Sequence, residues 1–83
     1  LFHRLYDQYH NDVFQFLIYL VKDRPTAEDL SHEVYIRAIR SYENFRKDSS
    51  EKTWLFAIAN TLFSVRQTLL VLLYEKCVFH FSL

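Results

Sequence analysis

Asp23-Arg24-Pro25-Thr26-Ala27-Glu28-Asp29-Leu30-Ser31-His32-Glu33-Val34-Tyr35-Ile36-Arg37-Ala38-Ile39-Arg40-Ser41-Tyr42 starts with a break and settles into a rhythm of threes and fours. Pro25 has no N–H and clashes with a preceding turn, so Asp23-Arg24-Pro25 ends whatever helix comes before it. Thr26 to Asp29 then has the spacing of a capping box, with the Thr26 hydroxyl accepting the Asp29 N–H. The helix this predicts runs to about Tyr42. It buries Ala27, Leu30, Val34 and Ala38, and carries Tyr35, Ile39 and Tyr42 on a flank. Opposite that core face, Asp29, His32, Glu33, Ile36, Arg37 and Arg40 form one polar stripe, with Glu33 and Arg37 at the spacing of a favourable ion pair.

Working outward, the same spacing recurs on both sides. Upstream, Leu5, Tyr9, Val13, Phe16, Leu17 and Leu20 predict a helix over about Phe2 to Lys22. Downstream, residues 43–50 lose the periodicity and read as a loop anchored by Phe45. Ser49 or Ser50 then caps a third helix whose first turn holds Glu51, where the helix dipole favours an anion. Trp54, Leu55, Ile58, Ala59 and Leu62 are its core face. Beyond Thr61 the apolar residues are too dense to choose a face. The end, from Val78 to Leu83, reads as helix or strand alike.

Composition supports a small helical domain. The 83 residues contain no Gly and one Pro, where an average chain of this length carries roughly six and four. Without Gly, the positive-φ turns of a many-hairpin β fold are disfavoured, and the three predicted helices are expected to need no positive φ in their connections. Glycine-rich phosphate loops and dinucleotide fingerprints are excluded. A single Cys, Cys77, excludes an intrachain disulfide and multi-cysteine zinc sites. His3, Asp7 and His10 share a face of the first helix but lack a fourth ligand, so neither a metal nor any other cofactor is expected. No nucleophile–base arrangement points to an enzyme.

Formal net charge is zero, but residues 1–43 sum to −2 and residues 44–83 to +2. Leu69 to Tyr74 is strongly apolar, with Glu75 and Lys76 interrupting it well short of a membrane span. With no basic leader at its start, the chain reads as soluble and intracellular. The polar stripe of the second helix is either a solvated face or a docking surface for a charged partner helix, with Ile36 as an apolar contact. Phe45, Arg46, Lys47, Ser49, Ser50, Lys52, Thr53 and Trp54 bring cations, hydroxyls and aromatics into ten positions. Single-stranded nucleic acid requires such a set, but an exposed loop with Phe45 and Trp54 turned into the core has the same composition.

Three ordered blocks narrow these alternatives: Leu5-Tyr6-Asp7-Gln8-Tyr9; Ala27-Glu28-Asp29-Leu30-Ser31-His32-Glu33-Val34-Tyr35-Ile36-Arg37; and Phe45-Arg46, Ser49-Ser50 and Thr53-Trp54-Leu55-Phe56-Ala57-Ile58-Ala59-Asn60. Over residues 1 to about 60 the chain closely resembles region 2 of extracytoplasmic-function sigma factors of the sigma-70 family, nearest to the sigma-X type. The resemblance implies an all-α bundle of three main helices, with the tail as a candidate fourth. It also implies a cytoplasmic, non-enzymatic role in transcription initiation. On that reading Asp29, His32, Glu33, Ile36, Arg37 and Arg40 meet the clamp helices of RNA polymerase's largest subunit. Arg46, Lys47, Ser49, Lys52 and Asn60 meet the non-template strand of the minus-ten promoter element as it melts, and Trp54 props up that surface. An anti-sigma factor is a further implied partner.

The chain departs from the family pattern in two places. His32 stands where the family usually has Gln. One residue, often Arg, is missing between the equivalents of Ala59 and Asn60, which turns the rest of a helix by about 100°. The expected division is a region 2 domain over 1–60 and an atypical apolar extension over 61–83. The family's linker and its domain for the minus-thirty-five element have no counterpart in these residues, an end that a truncated gene product, a frameshifted reading or a natural short variant would each produce. The extension either folds back on the core or pairs with a second copy of itself. The rival to the sigma reading is a helical protein–protein interaction module with no DNA role, either a sigma-like decoy or a self-associating bundle.

Overall fold

The computed structural model describes residues 2–45 and 50–82, excluding the side chains of residues 2 and 77–82. The described residues form α1 (Phe2–Val21), α2 (Arg24–Ser41), a 3₁₀ turn (Tyr42–Asn44) and α3 (Glu51–Ser82). Helices 1 and 3 run in the same direction and α2 runs against both. At one end of α2, Tyr42 packs on Trp54 near the start of α3. At the other end, the Arg66 charge acts on Asp23.

The core is built from all three helices: Leu5, Val13 and Leu17 of α1, Ala27, Leu30, Val34, Tyr35 and Ala38 of α2, and Leu55, Ala59 and Leu62 of α3. Burying each of the larger aliphatic side chains contributes about 1.5–3 kcal/mol relative to exposure. Phe16 and Phe56 stack face to face beside this core, with centroids 4.7 Å apart. Tyr35, expected on a flank, is 1% exposed. It lies one position from Val34, where α1 reaches over α2, and Tyr6 of α1 packs against its ring.

The connection between α1 and α2 differs from the sequence-based expectation in two ways. Helix 2 starts before Pro25, not after it. Asp23 is the N-cap, its carboxylate accepting the Thr26 N–H at 3.1 Å and the Thr26 hydroxyl. Pro25 fits the first turn because N–H groups there have no intrahelical acceptor to lose. Thr26 is thus a partner of the cap and not the cap itself. The turn before it does use positive φ: Lys22 sits at φ 56°, and its N–H donates to the Ile18 carbonyl at 2.7 Å. That single bond is the left-handed helix stop normally filled by Gly. In a chain without Gly, a lysine adopts it, at roughly 1 kcal/mol.

Ser50 caps α3 as expected, its hydroxyl accepting the Thr53 N–H at 3.1 Å. Beyond the core, α3 does not fold back, nor does the tail form a separate fourth helix. It continues as one 32-residue helix, so the molecule is 52 Å long against 26 and 17 Å in its other dimensions. From Ser64 to Lys76 every residue is exposed.

Candidate functional site

The stripe on α2 takes shape as its periodicity predicts. Asp29, His32, Glu33, Ile36, Arg37 and Arg40 are all exposed, on the side of α2 away from Val34 and Ala38. Glu33, Ile36, Arg37 and Arg40 line a shallow depression of about 280 Å³, with Ile36 51% exposed in it. The expected Glu33–Arg37 ion pair does not form; the ion pair within α2 among the described residues is Arg24–Glu28, at 3.9 Å. Two exposed side chains gain a few tenths of a kcal/mol from pairing, comparable with the rotamer entropy they lose. Glu33 and Arg37 therefore point outward as separate charges. Asp29, His32, Glu33 and Arg37 also form one wall of a groove of about 570 Å³, whose other wall is Leu62, Val65, Arg66, Leu69 and Leu70 of α3.

Of the residues assigned to nucleic acid, Arg46, Lys47 and Ser49 lie outside the described residues. Lys52 and Asn60 are exposed on α3, about 12 Å apart along its axis and 80° apart around it. Lys52 is not a bare cation. Its Nζ lies 3.3 Å from Asp12 of α1 and 5.8 Å from the centre of the Phe56 ring. Both ends of the pair are half exposed, so it contributes at most about 1 kcal/mol and a phosphate can displace it. Trp54 is partly buried, in contact with Tyr42 and Phe45 at centroid distances of 5.8 and 4.8 Å. This aromatic cluster joins the 3₁₀ turn and Phe45 to the first turn of α3.

A polar cluster that sequence reasoning missed reinforces the same place. Arg4 at the start of α1 donates to both carboxylate oxygens of Glu51, at 2.8 and 2.5 Å. The hydroxyls of Tyr42 and Tyr9 donate to the same carboxylate at 2.8 and 3.3 Å. The Arg4 hydrogen bond, with the tyrosines assisting, holds the Glu51 carboxyl down at about 2. The same bond raises the Arg4 guanidinium. Tyr42 is raised chiefly by its bond to Glu51, and Tyr9 chiefly by desolvation. Glu51 thus ties α1, the end of α2 and the start of α3 together. Arg4 and Glu51 are 47 residues apart, and no local pattern connects them.

The histidine face of α1 is occupied otherwise. His10 stacks on Tyr6 at 4.7 Å, with its Nδ1 2.9 Å from the Tyr6 carbonyl. Among the described residues, no three His, Cys, Asp or Glu side chains converge as metal ligands would. Glu51–Lys76 is long and apolar enough to cross a membrane by length and composition alone. Between Lys52 and Glu75 its only formal charge is Arg66, so the apolar run reaches back from Leu69 into the core helix. Leu55, Ala59 and Leu62 in that run are buried against α1 and α2, and the core helix of a soluble bundle passes the same test.

Compared with known proteins, residues 5–64 match the profile of Sigma-70 region 2. The chain belongs to that family. It is 59% identical over 58 residues to the ECF RNA polymerase sigma factor SigX of Bacillus subtilis (strain 168), covering 70% of this chain and 30% of that protein. Against the ECF RNA polymerase sigma factor SigM of the same organism, identity is 42% over 62 residues, covering 71% of this chain and 36% of SigM. Against the ECF RNA polymerase sigma factor BldN of Streptomyces coelicolor it is 40% over 62 residues, covering 74% and 24%. The chain therefore spans about a third or less of the length of these relatives. No solved structure matches it. The sigma-70 region 2 match stops two residues past Leu62, where the continuous core of α3 ends.

Proposed function

We infer that this chain is a sigma-factor module that docks on RNA polymerase and handles single-stranded promoter DNA in the cytoplasm, without itself making or breaking a bond. The observation that carries the reading is the α2 stripe. Separate exposed charges of both signs surround the accessible Ile36 on one rigid face, in a chain of the sigma-70 region 2 family. Such a face suits a charged coiled coil, with Ile36 as the desolvated centre and Asp29, His32, Glu33, Arg37 and Arg40 as its rim. In this reading the polymerase's clamp helices are that coiled coil.

Promoter DNA would be met along the first half of α3 and the segment leading into it. Lys52 and Asn60, with Arg46, Lys47 and Ser49, would face the non-template strand of the minus-ten element. The region 2 module would be residues 1–60, followed by an atypical apolar extension over 61–83, and an anti-sigma factor would be a further partner. The test is co-purification of the 83-residue chain with core polymerase. Glu33→Arg with Arg37→Glu should abolish it while circular dichroism and the melting curve stay unchanged, because both side chains are exposed. Retained binding by the folded double variant would show that this face is not the docking surface.

Two observations favour the rival reading, a protein-binding bundle without a DNA role. Lys52 is already paired with Asp12, and most of the exposed large hydrophobic residues among those described lie on α3 beyond the core. The two readings separate on whether the folded chain binds a minus-ten oligonucleotide.

A further inference from the structure

We propose that Asp12 of α1 sets the chain's affinity for single-stranded nucleic acid by standing, on Lys52, where a backbone phosphate would stand. This role of Asp12 rests on the promoter-DNA reading, which by itself gives α1 no part in binding.

The Asp12 carboxylate lies 3.3 Å from the Lys52 Nζ, and both side chains are 51% exposed. A carboxylate on an accessible lysine offers what a phosphodiester offers, an anionic oxygen that accepts a charge-assisted hydrogen bond. Glu51, the acid next to Lys52 in sequence, is committed elsewhere. Its carboxylate accepts from Arg4, Tyr42 and Tyr9.

The two ties between α1 and the first turn of α3 differ in kind. Arg4 and Glu51 meet through two hydrogen bonds, with the Glu51 side chain only 17% exposed. Asp12 and Lys52 meet through one contact between half-exposed groups, and such pairs contribute little to a fold. The first tie holds helices together; the second can be exchanged. Exchange also leaves the ammonium where it is. It lies 5.8 Å from the centre of the Phe56 ring, whose face attracts a cation, and Phe56 is itself stacked on Phe16 at 4.7 Å. An incoming phosphate meets a cation that the ring keeps in position, and Asp12 is what it must displace.

Displacement works against binding. A phosphate that reaches Lys52 releases a condensed cation from the strand, but it also leaves the Asp12 carboxylate unpaired beside it. In Asp12→Asn that opposing charge is gone while the side chain keeps its size. Because a phosphate contact carries no sequence information, the effect should be the same for every single strand.

Fluorescence anisotropy tests this with the full 83-residue chain over a range of salt. The probes are the labelled minus-ten non-template oligonucleotide and a scrambled strand of equal length. Asp12→Asn should bind both about two- to fivefold more tightly at low salt, the factor to which an exposed ion pair corresponds. Its log K should fall by up to about 0.7 more for each tenfold rise in salt, so the gain should vanish as salt is raised. In a Lys52→Ala background most of the gain should disappear. Glu28→Gln is the matched control: it removes one charge and frees Arg24 from another exposed pair, at the opposite end of α2 from Tyr42. It should not tighten binding.

Equal affinities for the wild-type chain and Asp12→Asn would overturn the role of Asp12 while the DNA reading stands. So would a gain as large in the Lys52→Ala background, or one that Glu28→Gln reproduces, since either marks a general effect of net charge. A gain confined to one of the two strands would overturn the phosphate assignment. Failure of the wild-type chain to bind either strand at low salt would overturn the DNA reading and the role of Asp12 with it.

Discussion

The two halves of α3 are alike in composition and opposite in circumstance. From Glu51 to Leu62 the helix buries Leu55, Ala59 and Leu62, and ties Glu51 and Lys52 to α1. From Ser64 to Lys76 it buries nothing, although it is about as apolar. Hydrophobicity by itself therefore says little about what a residue does for the fold. What matters is whether another element supplies the opposite wall. Up to Leu62, α1 and α2 supply it; from there to Leu70, α2 offers one side of an open groove, and beyond that point nothing else among the described residues does.

The sharpest way to break this contrast is to truncate one leucine in each half. Leu55→Ala, at a fully buried position, should lower unfolding stability by about 2–5 kcal/mol. Leu69→Ala, 55% exposed, should change the stability of the monomer by no more than about 0.5 kcal/mol. Urea denaturation of both variants at low protein concentration decides it. Equal losses would mean that the distal half is covered within the monomer.

Glu51 marks the start of the stabilising half, and its effect is readable in pH. Its carboxyl is held at about 2, against 4.5 when free. A depressed carboxylate stabilises the fold fully above its unfolded value, so that contribution should fade as pH falls from about 4.5 to about 2. Asp23, lowered by its bonds to the Thr26 hydroxyl and N–H, adds to the same acid loss. Glu51→Gln should lower neutral-pH stability by about 1–2 kcal/mol and flatten the acid slope, as followed by thermal melts between pH 2 and 7. At the alkaline end, burial pushes the Tyr35 hydroxyl up to about 12. Its contribution is intact below about 10 and should be lost as pH rises through about 12.

The smaller effects lie at the helix ends. Ser50→Ala removes the acceptor of the Thr53 N–H and should lower stability by about 1 kcal/mol. Lys22→Gly should raise it by up to about 1 kcal/mol, because Gly accepts the left-handed conformation without the Cβ clash. A loss on Lys22→Gly would mean that the lysine side chain, and not the backbone, holds that turn.

These positions also show what the sequence could and could not reveal. The three helices and most of the core were legible because Leu5, Val13, Leu17, Leu30, Val34 and Leu55 recur at helical spacing. The start of α2 was ambiguous because Asp23 and Thr26 are both good caps, and only the placement of Pro25 in the first turn decides between them. The left-handed Lys22 was illegible because the residue type that signals such a turn is missing from the whole chain. On the functional side, the α2 stripe followed from periodicity. The Arg4–Glu51–Tyr42–Tyr9 cluster did not, since its members meet only through tertiary packing. For the extension, composition raised both folding back and self-pairing. Only the continuous course of α3 shows that its side chains from Ser64 to Lys76 stay exposed among the described residues.

The central claim is that this bundle handles promoter DNA and is not solely a protein-binding module. Fluorescence anisotropy of a labelled minus-ten non-template oligonucleotide, titrated with the 83-residue chain over a range of salt, tests it most directly. The account predicts binding that weakens steeply with salt, log K falling by about 0.7 per phosphate contacted for each tenfold rise, and weaker binding by the Lys52→Ala and Asn60→Ala variants. No binding at low salt by a protein that circular dichroism shows to be folded and helical would contradict it.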